Sequence, residues 1–229
     1  PTHKLGPATV APLIRAIDHN LLALICSLCS RDWAAPTIVP GWQVRDIVAH
    51  LLDTATRKLS LLRDGYVAEP AKIASAEDLS ALVNRLNREG VRVYRRLSPA
   101  LLIDALTLVM PQFADFHERL DPYAPAAFPV SWAGETNSLN WFDTARELTE
   151  RWHHQQQIRL AVNQPGILTA EFYPAVMECF FRALPHHYRH QPAPAGTALQ
   201  LRIPGPAGGE WVLAANEQGW ELLGGTVEN

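Results

Sequence analysis

Apolar residues recur at three- and four-residue intervals from about Ala8 to Ser30. Leu13, Ile14, Ile17, Leu21, Leu24, Ile25 and Leu28 fall on one side, and the spacing predicts a helix. Pro36 and Pro40 break the pattern between Trp33 and Gly41, so a loop is expected there. A second helix is expected from about Gln43 to Arg63, burying Ile47, Val48, Leu51, Leu59 and Leu62. Ser75 reads as the cap of a third, because Glu77 and Asp78 suit a first turn and Leu79, Leu82, Val83 and Leu86 form a stripe behind them. Ser98-Pro99 opens another helix, since the first turn leaves its N–H groups unused and proline has none to waste. Leu101, Leu102, Ala105, Leu106 and Val109 supply its apolar side, and Pro111 is expected to end or kink it. The segment Asp121 to Glu135, with its prolines and glycine around Tyr123, Phe128 and Trp132, reads as a long connection. The last long pattern runs from near Ser138 to about Ala161, with Trp141, Ala145, Leu148 and Trp152 on one stripe.

These stripes predict a mainly α protein: an up-down four-helix bundle over residues 1–165. The periodicity then changes. A helix from about Ala170 to Leu184 leads into a break at Gln191-Pro192-Ala193-Pro194-Ala195-Gly196. Beyond it Leu199-Gln200-Leu201-Arg202-Ile203 alternates apolar and polar residues, and Trp211-Val212-Leu213 and Trp220-Glu221-Leu222 follow as further short strands. Residues 166–229 are therefore expected to form a small α+β domain, a three-stranded antiparallel meander covered by the preceding helix.

Composition narrows the partners more than the fold. Hydrophobic residues make up 48% and charged residues 19% of the 229, which fits a packed globular chain and not a disordered one. Lys+Arg 20 against Asp+Glu 23 leaves a net charge of -3, so no global field recruits nucleic acid or anionic lipid. The apolar run Leu21 to Cys26 is far shorter than the roughly 20 residues that cross a bilayer. No basic segment followed by an apolar core stands at the visible N-terminus, and a cytoplasmic location is expected. Three cysteines, an odd number, agree with a reducing compartment.

The chemistry concentrates in two places. Glu150-Arg151-Trp152-His153-His154 puts a carboxylate and an imidazole one helical turn apart, on a face rotated away from Leu148 and Trp152. That face is either solvated or turned toward the bundle interior. His50 lies between Ile47 and Leu51 on a core-facing stripe, where an imidazole needs either a hydrogen-bond partner or a metal. Together the three give the two-histidine, one-carboxylate set of catalytic zinc sites, which leaves a position for water or substrate. Nickel, cobalt, iron and manganese accept the same ligands. His153 points about 100° away from His154 and is expected either to support the ligands from behind or to lie at the surface.

Trp33, Pro36-Thr37, Val39-Pro40-Gly41-Trp42 and Val44-Arg45-Asp46-Ile47-Val48-Ala49-His50-Leu51 together resemble the opening of the mycothiol-dependent maleylpyruvate isomerase N-terminal domain family, a group of DinB-like four-helix bundles. The resemblance covers about residues 10 to 160 and extends to the later helix bearing Glu-x-x-x-His. It implies metal ligation by His50, Glu150 and His154, with a divalent ion, zinc first among the candidates. It also implies a low-molecular-weight thiol as cosubstrate and a transferase or isomerase reaction in which a thiolate adds to an electrophilic small molecule. Ligation would consume all three residues, so the general acid or base stays unassigned.

The turn-rich stretch Gly205 to Trp211 is similar to the small C-terminal domain that family members carry. That domain usually continues through another helix, whereas this chain stops at Asn229, and a reduced or missing tail is expected. A further departure follows the second histidine: members often place an aspartate two or three positions on, where this chain has Gln155-Gln156-Gln157. Two other classes stay open, a non-enzymatic metal- or ligand-binding protein of the same fold and a metal-dependent hydrolase. A homodimer is equally open.

Three remaining features receive plainer readings. Cys26-Ser27-Leu28-Cys29 has redox or zinc spacing but lacks a second pair, and core packing is expected. His186, His187 and His190 are expected to be exposed beyond a helix end near Pro185. Arg202 either faces an anionic substrate or is solvated on its strand, and the latter is expected.

Overall fold

The computed structural model describes residues 1–67 and 70–227. Its helices are α1 (Ala11–Cys26), α2 (Ser30–Trp33), α3 (Val44–Lys58), α4 (Ala76–Tyr94), α5 (Pro99–Arg119), α6 (Asn140–Ala161), α7 (Tyr173–Phe181) and α8 (Leu184–Tyr188). The strands are β1 (Thr2–Lys4), β2 (Ala198–Ile203), β3 (Gly209–Asn216) and β4 (Gly219–Gly225). The architecture is thus mainly α, a helical bundle with a small antiparallel sheet. Two compact units divide the chain. One comprises Pro1–Leu13, Asp121–Glu150 and Ile167–Asn229; the other comprises Ile14–Leu120 and Arg151–Gly166.

In the second unit four helices meet in one core. Leu21, Leu24 and Ile25 of α1 and Ile47, Val48, Leu51 and Leu52 of α3 join Leu102, Leu106 and Met110 of α5 and Ile158 of α6. The stripes read for α1, α3 and α5 supply this core, although Leu101 is exposed; the stripe read for α4 does not bury, Leu79, Leu82 and Leu86 being half-buried and Val83 exposed. Both expected caps are in place: the Asp78 amide donates to Ser75 Oγ at 3.1 Å, and the Leu101 amide donates to Ser98 Oγ at 3.3 Å. Pro111 neither ends nor interrupts α5, because it sits on the exposed side of that helix. α5 is long and apolar enough by composition to cross a membrane, yet Leu102, Leu106, Met110 and Phe113 are buried in protein. The second helix closes with one wide π turn, Leu59–Arg63.

Two expectations on this unit need correction. The first apolar stretch is two helices, α1 and α2, separated by a break that begins beyond Cys26. Cys26 and Cys29 are consequently exposed, not packed in the core. The stripe through Leu21, Leu24 and Ile25 leaves Cys26 a further 100° around the helix, off the buried side.

In the first unit the strands are ordered β1-β4-β3-β2, all antiparallel. β1 was not anticipated: Thr2, His3 and Lys4 are all exposed and carry no alternation, and they pair with Leu223 to Gly225, Lys4 also meeting Glu221 of β4 at 3.6 Å. Trp211, Val212, Leu213 and Leu222 are buried, and Phe181 of α7 meets Trp211 edge-on with ring centroids 4.9 Å apart. The expected covering helix is two helices, and His186 and His187 lie within α8 instead of after it. Arg202 is solvated and pairs with Glu210 at 3.3 Å.

Cys179 of α7 is the buried thiol of this unit. Burial pushes its pKa up to about 12 against the opposing charges of Arg182 and Arg146. At pH 8 a thiol with that pKa is ionised in about one molecule in ten thousand. A disulfide reagent at pH 8 is therefore expected to titrate Cys26 and Cys29 in the native protein and Cys179 only after denaturant is added. Three fast thiols would show that α7 does not bury Cys179.

Candidate metal centre

His50 is placed by the loop that precedes α3. Trp33 is buried in the bundle core, and Pro36 and Gln43 face each other as an isolated antiparallel bridge. Thr37 ties that loop shut, its amide and its Oγ1 donating to the Trp42 carbonyl at 2.9 and 3.0 Å. The first turn of α3 then closes on itself, the Gln43 amide donating to Asp46 Oδ2 at 3.0 Å. Arg95, just past the end of α4, holds that buried carboxylate at 3.1 Å. With its start so constrained, α3 carries His50 seven residues on to a position only 2% exposed. The Trp42 ring lies against it, centroids 5.4 Å apart. The tryptophan-to-histidine block of the sequence is thus a device for fixing one imidazole.

α6 brings the other two. It runs unbroken from Asn140 to Ala161, so Glu150 and His154 share one face a turn apart, and both are half-buried. The choice between a solvated and an inward face resolves toward the interior, because α6 is buried around most of its circumference. Asp143, Thr144, Glu147, Thr149, Arg151 and Gln155 are all buried polar residues of this helix. The His50 and His154 rings meet at 4.7 Å, tilted by 72°. One ligand atom from each of His50, Glu150 and His154 lies within 4.8 Å of the others. Two imidazole nitrogens and a carboxylate oxygen at that separation fit a divalent cation after small side-chain adjustments, since zinc bonds to such atoms are about 2.0–2.2 Å long. His153 is exposed.

Two neighbours of the cluster escaped sequence reasoning. Gln157 Oε1 lies 2.8 Å from His154 Nδ1, three residues along α6. Arg146, one turn before Glu150, bonds Asp143 Oδ1 through Nε at 3.1 Å and Glu147 at 3.0 Å. Burial disfavours its charge, but Glu147, Asp143 and Glu150 outweigh burial and hold its pKa above that of ordinary arginine. Helical spacing of i+3 and i−4 from the ligands was the signal that could have found both.

Comparison with known proteins gives a consistent family. Residues 14–159 match the family described as Mycothiol maleylpyruvate isomerase N-terminal domain. Two uncharacterized proteins from two strains of Mycobacterium tuberculosis are 30% identical over 141 residues, 62% of this chain and 51% of theirs. The chain thus spans about half the length of the curated relatives it matches. Among solved structures, a mycothiol-dependent maleylpyruvate isomerase superposes with a TM-score of 0.52 at 15% identity, over 83% of this chain and 72% of that one. A histidine-to-alanine mutant of a mycothiol-dependent maleylpyruvate isomerase gives 0.53 at 13% identity, with the same shares of the two chains. At such identities the likeness is one of fold.

Proposed function

The chain belongs to the mycothiol maleylpyruvate isomerase N-terminal domain family, and from that membership we propose that His50, Glu150 and His154 hold a catalytic divalent ion in a thiol-dependent transferase or isomerase. The observation that carries the reading is the convergence of the three ligand atoms within 4.8 Å, on two helices far apart in sequence. Zinc suits the donor set, and nickel, cobalt, iron or manganese are the alternatives. When bound, the ion would lower the pKa of a coordinated thiol and so supply thiolate at neutral pH.

The chain's own residues define the rest. His50, Glu150 and His154 are three ligands and leave a fourth position for an incoming molecule. Trp42 packs beside His50 and limits the orientations its ring can take. Arg146 keeps a positive charge next to Glu150, which favours the ionised, ligating carboxylate. The cosubstrate in this reading is mycothiol or a similar small thiol. It adds to an electrophilic double bond, staying attached in a transferase and leaving again after bond rotation in an isomerase. All three ligands fall within the bundle proposed over residues 1–165, and residues 166–229 contribute strands β2 to β4 of the accessory part. The setting is the cytoplasm, with a monomer or homodimer and no nucleic-acid or membrane partner.

The test is metal content followed by turnover. Protein purified without chelator is expected to carry a stoichiometric divalent ion. Incubated with mycothiol and a maleylpyruvate-type electrophile, it is expected to convert substrate at a rate that Glu150→Ala abolishes. Turnover of esters or amides without thiol would replace this reading with the hydrolase. Tight ligand binding without turnover would leave a binding protein, and an ion-free wild type would remove the metal premise.

A further inference from the structure

The residue after which the ligand helix continues is a run of three glutamines, and they do different work. Gln155 is fully buried, its Nε2 donating to the Ile17 carbonyl at 3.0 Å while its Oε1 accepts from Arg159 at 3.1 and 3.2 Å. Gln156 packs its amide against Gly166, where an added Cβ would lie 3.1 Å from Nε2 and Oε1. Gln157 reaches back one turn, and its Oε1 meets His154 Nδ1 at 2.8 Å.

We propose that Gln157 is a positioning residue for His154: it holds the proton on Nδ1 and leaves Nε2 as the ring nitrogen with a lone pair for a metal. This rests on the reading of His154 as a ligand given above. An imidazole can ligate only through an unprotonated nitrogen, and the hydrogen bond made by one nitrogen decides which one that is. The amide oxygen of Gln157 accepts, so the contact is made with Nδ1 as the donor. Without that acceptor the Nδ1-protonated tautomer loses the hydrogen bond that favours it, and each wrong arrangement subtracts from the population able to bind.

The chemical character of the acceptor matters as well. A carboxylate at this place would add a second negative charge beside Glu150 and raise the basicity of His154. The neutral amide orients the ring without either effect. A cation held here would have less of its charge neutralised by the protein, leaving more to act on an incoming thiol.

Two measurements decide the proposal, one of them independent of any metal. Long-range proton–nitrogen NMR spectra of the metal-free protein are expected to show His154 as the Nδ1-protonated tautomer. In Gln157→Leu the signal is expected to move toward the Nε2-protonated form. In parallel, titration with zinc is expected to give a dissociation constant about 10–100-fold weaker for Gln157→Leu. Gln157→Glu, which keeps an acceptor, is expected to bind zinc at least as tightly as wild type. Unchanged thermal stability of the metal-free variants is expected, because a merely structural role would lower it in Gln157→Leu. An unchanged His154 tautomer together with unchanged zinc affinity in Gln157→Leu would overturn the proposal. A wild type that binds no zinc but shows the tautomer shift would keep the positioning role and overturn the metal reading instead.

Discussion

His50→Ala is expected to abolish the stoichiometric divalent-ion binding proposed above and the thermal stabilisation such an ion would confer, while His153→Ala leaves both intact. In the proposed site His50 is the ligand supplied from outside α6, and it is only 2% exposed, so no side chain can swing in from solvent to replace it. Loss of one of three ligands leaves a Glu–His pair one turn apart, a weak chelate. An ion that binds only the folded chain stabilises it by about 4 kcal/mol when present at a thousand times its dissociation constant. A hundredfold loss of affinity at the same concentration leaves about 1.4 kcal/mol, a difference of ~2.7 kcal/mol. For a chain of 229 residues, each kcal/mol moves the melting temperature by about 2–4 °C. The metal-dependent part of Tm is thus expected to shrink by about 5–11 °C in His50→Ala. Comparing scans with and without added metal separates that loss from the cost of the cavity. His153 is exposed on another face of α6, so its alanine variant controls for histidine content. A His50→Ala protein that keeps both its ion and its thermal shift would remove His50 from the ligand set.

The three residues of the cluster were legible because each leaves a local mark. The i, i+4 spacing of Glu150 and His154 sets them on one face whatever the tertiary fold, and His50 sits on an apolar stripe where a solvated histidine has no place. The bundle was legible for the same reason, since the stripes through Ile17, Leu21 and Leu24 or Ile47, Leu51 and Leu52 are those that bury. What escaped depends on partners remote in sequence or on chemistry of an unexpected kind. β1 has no side-chain pattern because its three residues are exposed and held by backbone pairing with β4. Gln157 was read as the absence of an aspartate, although an amide oxygen accepts a hydrogen bond from an imidazole as a carboxylate does. The face of α6 was ambiguous because a helix buried on most sides shows no single apolar stripe. Two of its buried polar residues, Arg151 and Gln155, bond to Asp18 and the Ile17 carbonyl of α1, partners that sequence spacing cannot supply.

Asp18→Ala is the substitution expected to cost the fold most, and its target is such a remote pair. Asp18 lies on the buried side of α1 beside Ile17 and Leu21, and Arg151 lies on α6, 133 residues later. Arg151 Nη1 donates to Asp18 Oδ1, and the side chains are 3% and 5% exposed. The guanidinium also stands 4.0 Å above the Phe113 ring. Removing the carboxylate leaves a buried charge that has lost its ion-pair partner, which costs about 3–5 kcal/mol. That is a large share of the 5–15 kcal/mol typical of folded proteins, and it corresponds to a fall in Tm of about 6–20 °C. Arginine cannot escape by losing its proton, because its pKa is too high. The same reasoning predicts recovery in Asp18→Ala combined with Arg151→Met. With both charges gone, an unbranched apolar chain fills the space of the arginine stem, and most of the lost stability is expected to return. Denaturant midpoints of the wild type, the two single variants and the double variant close the cycle. A double variant no more stable than Asp18→Ala would show that the carboxylate, and not the uncompensated guanidinium, accounts for the loss.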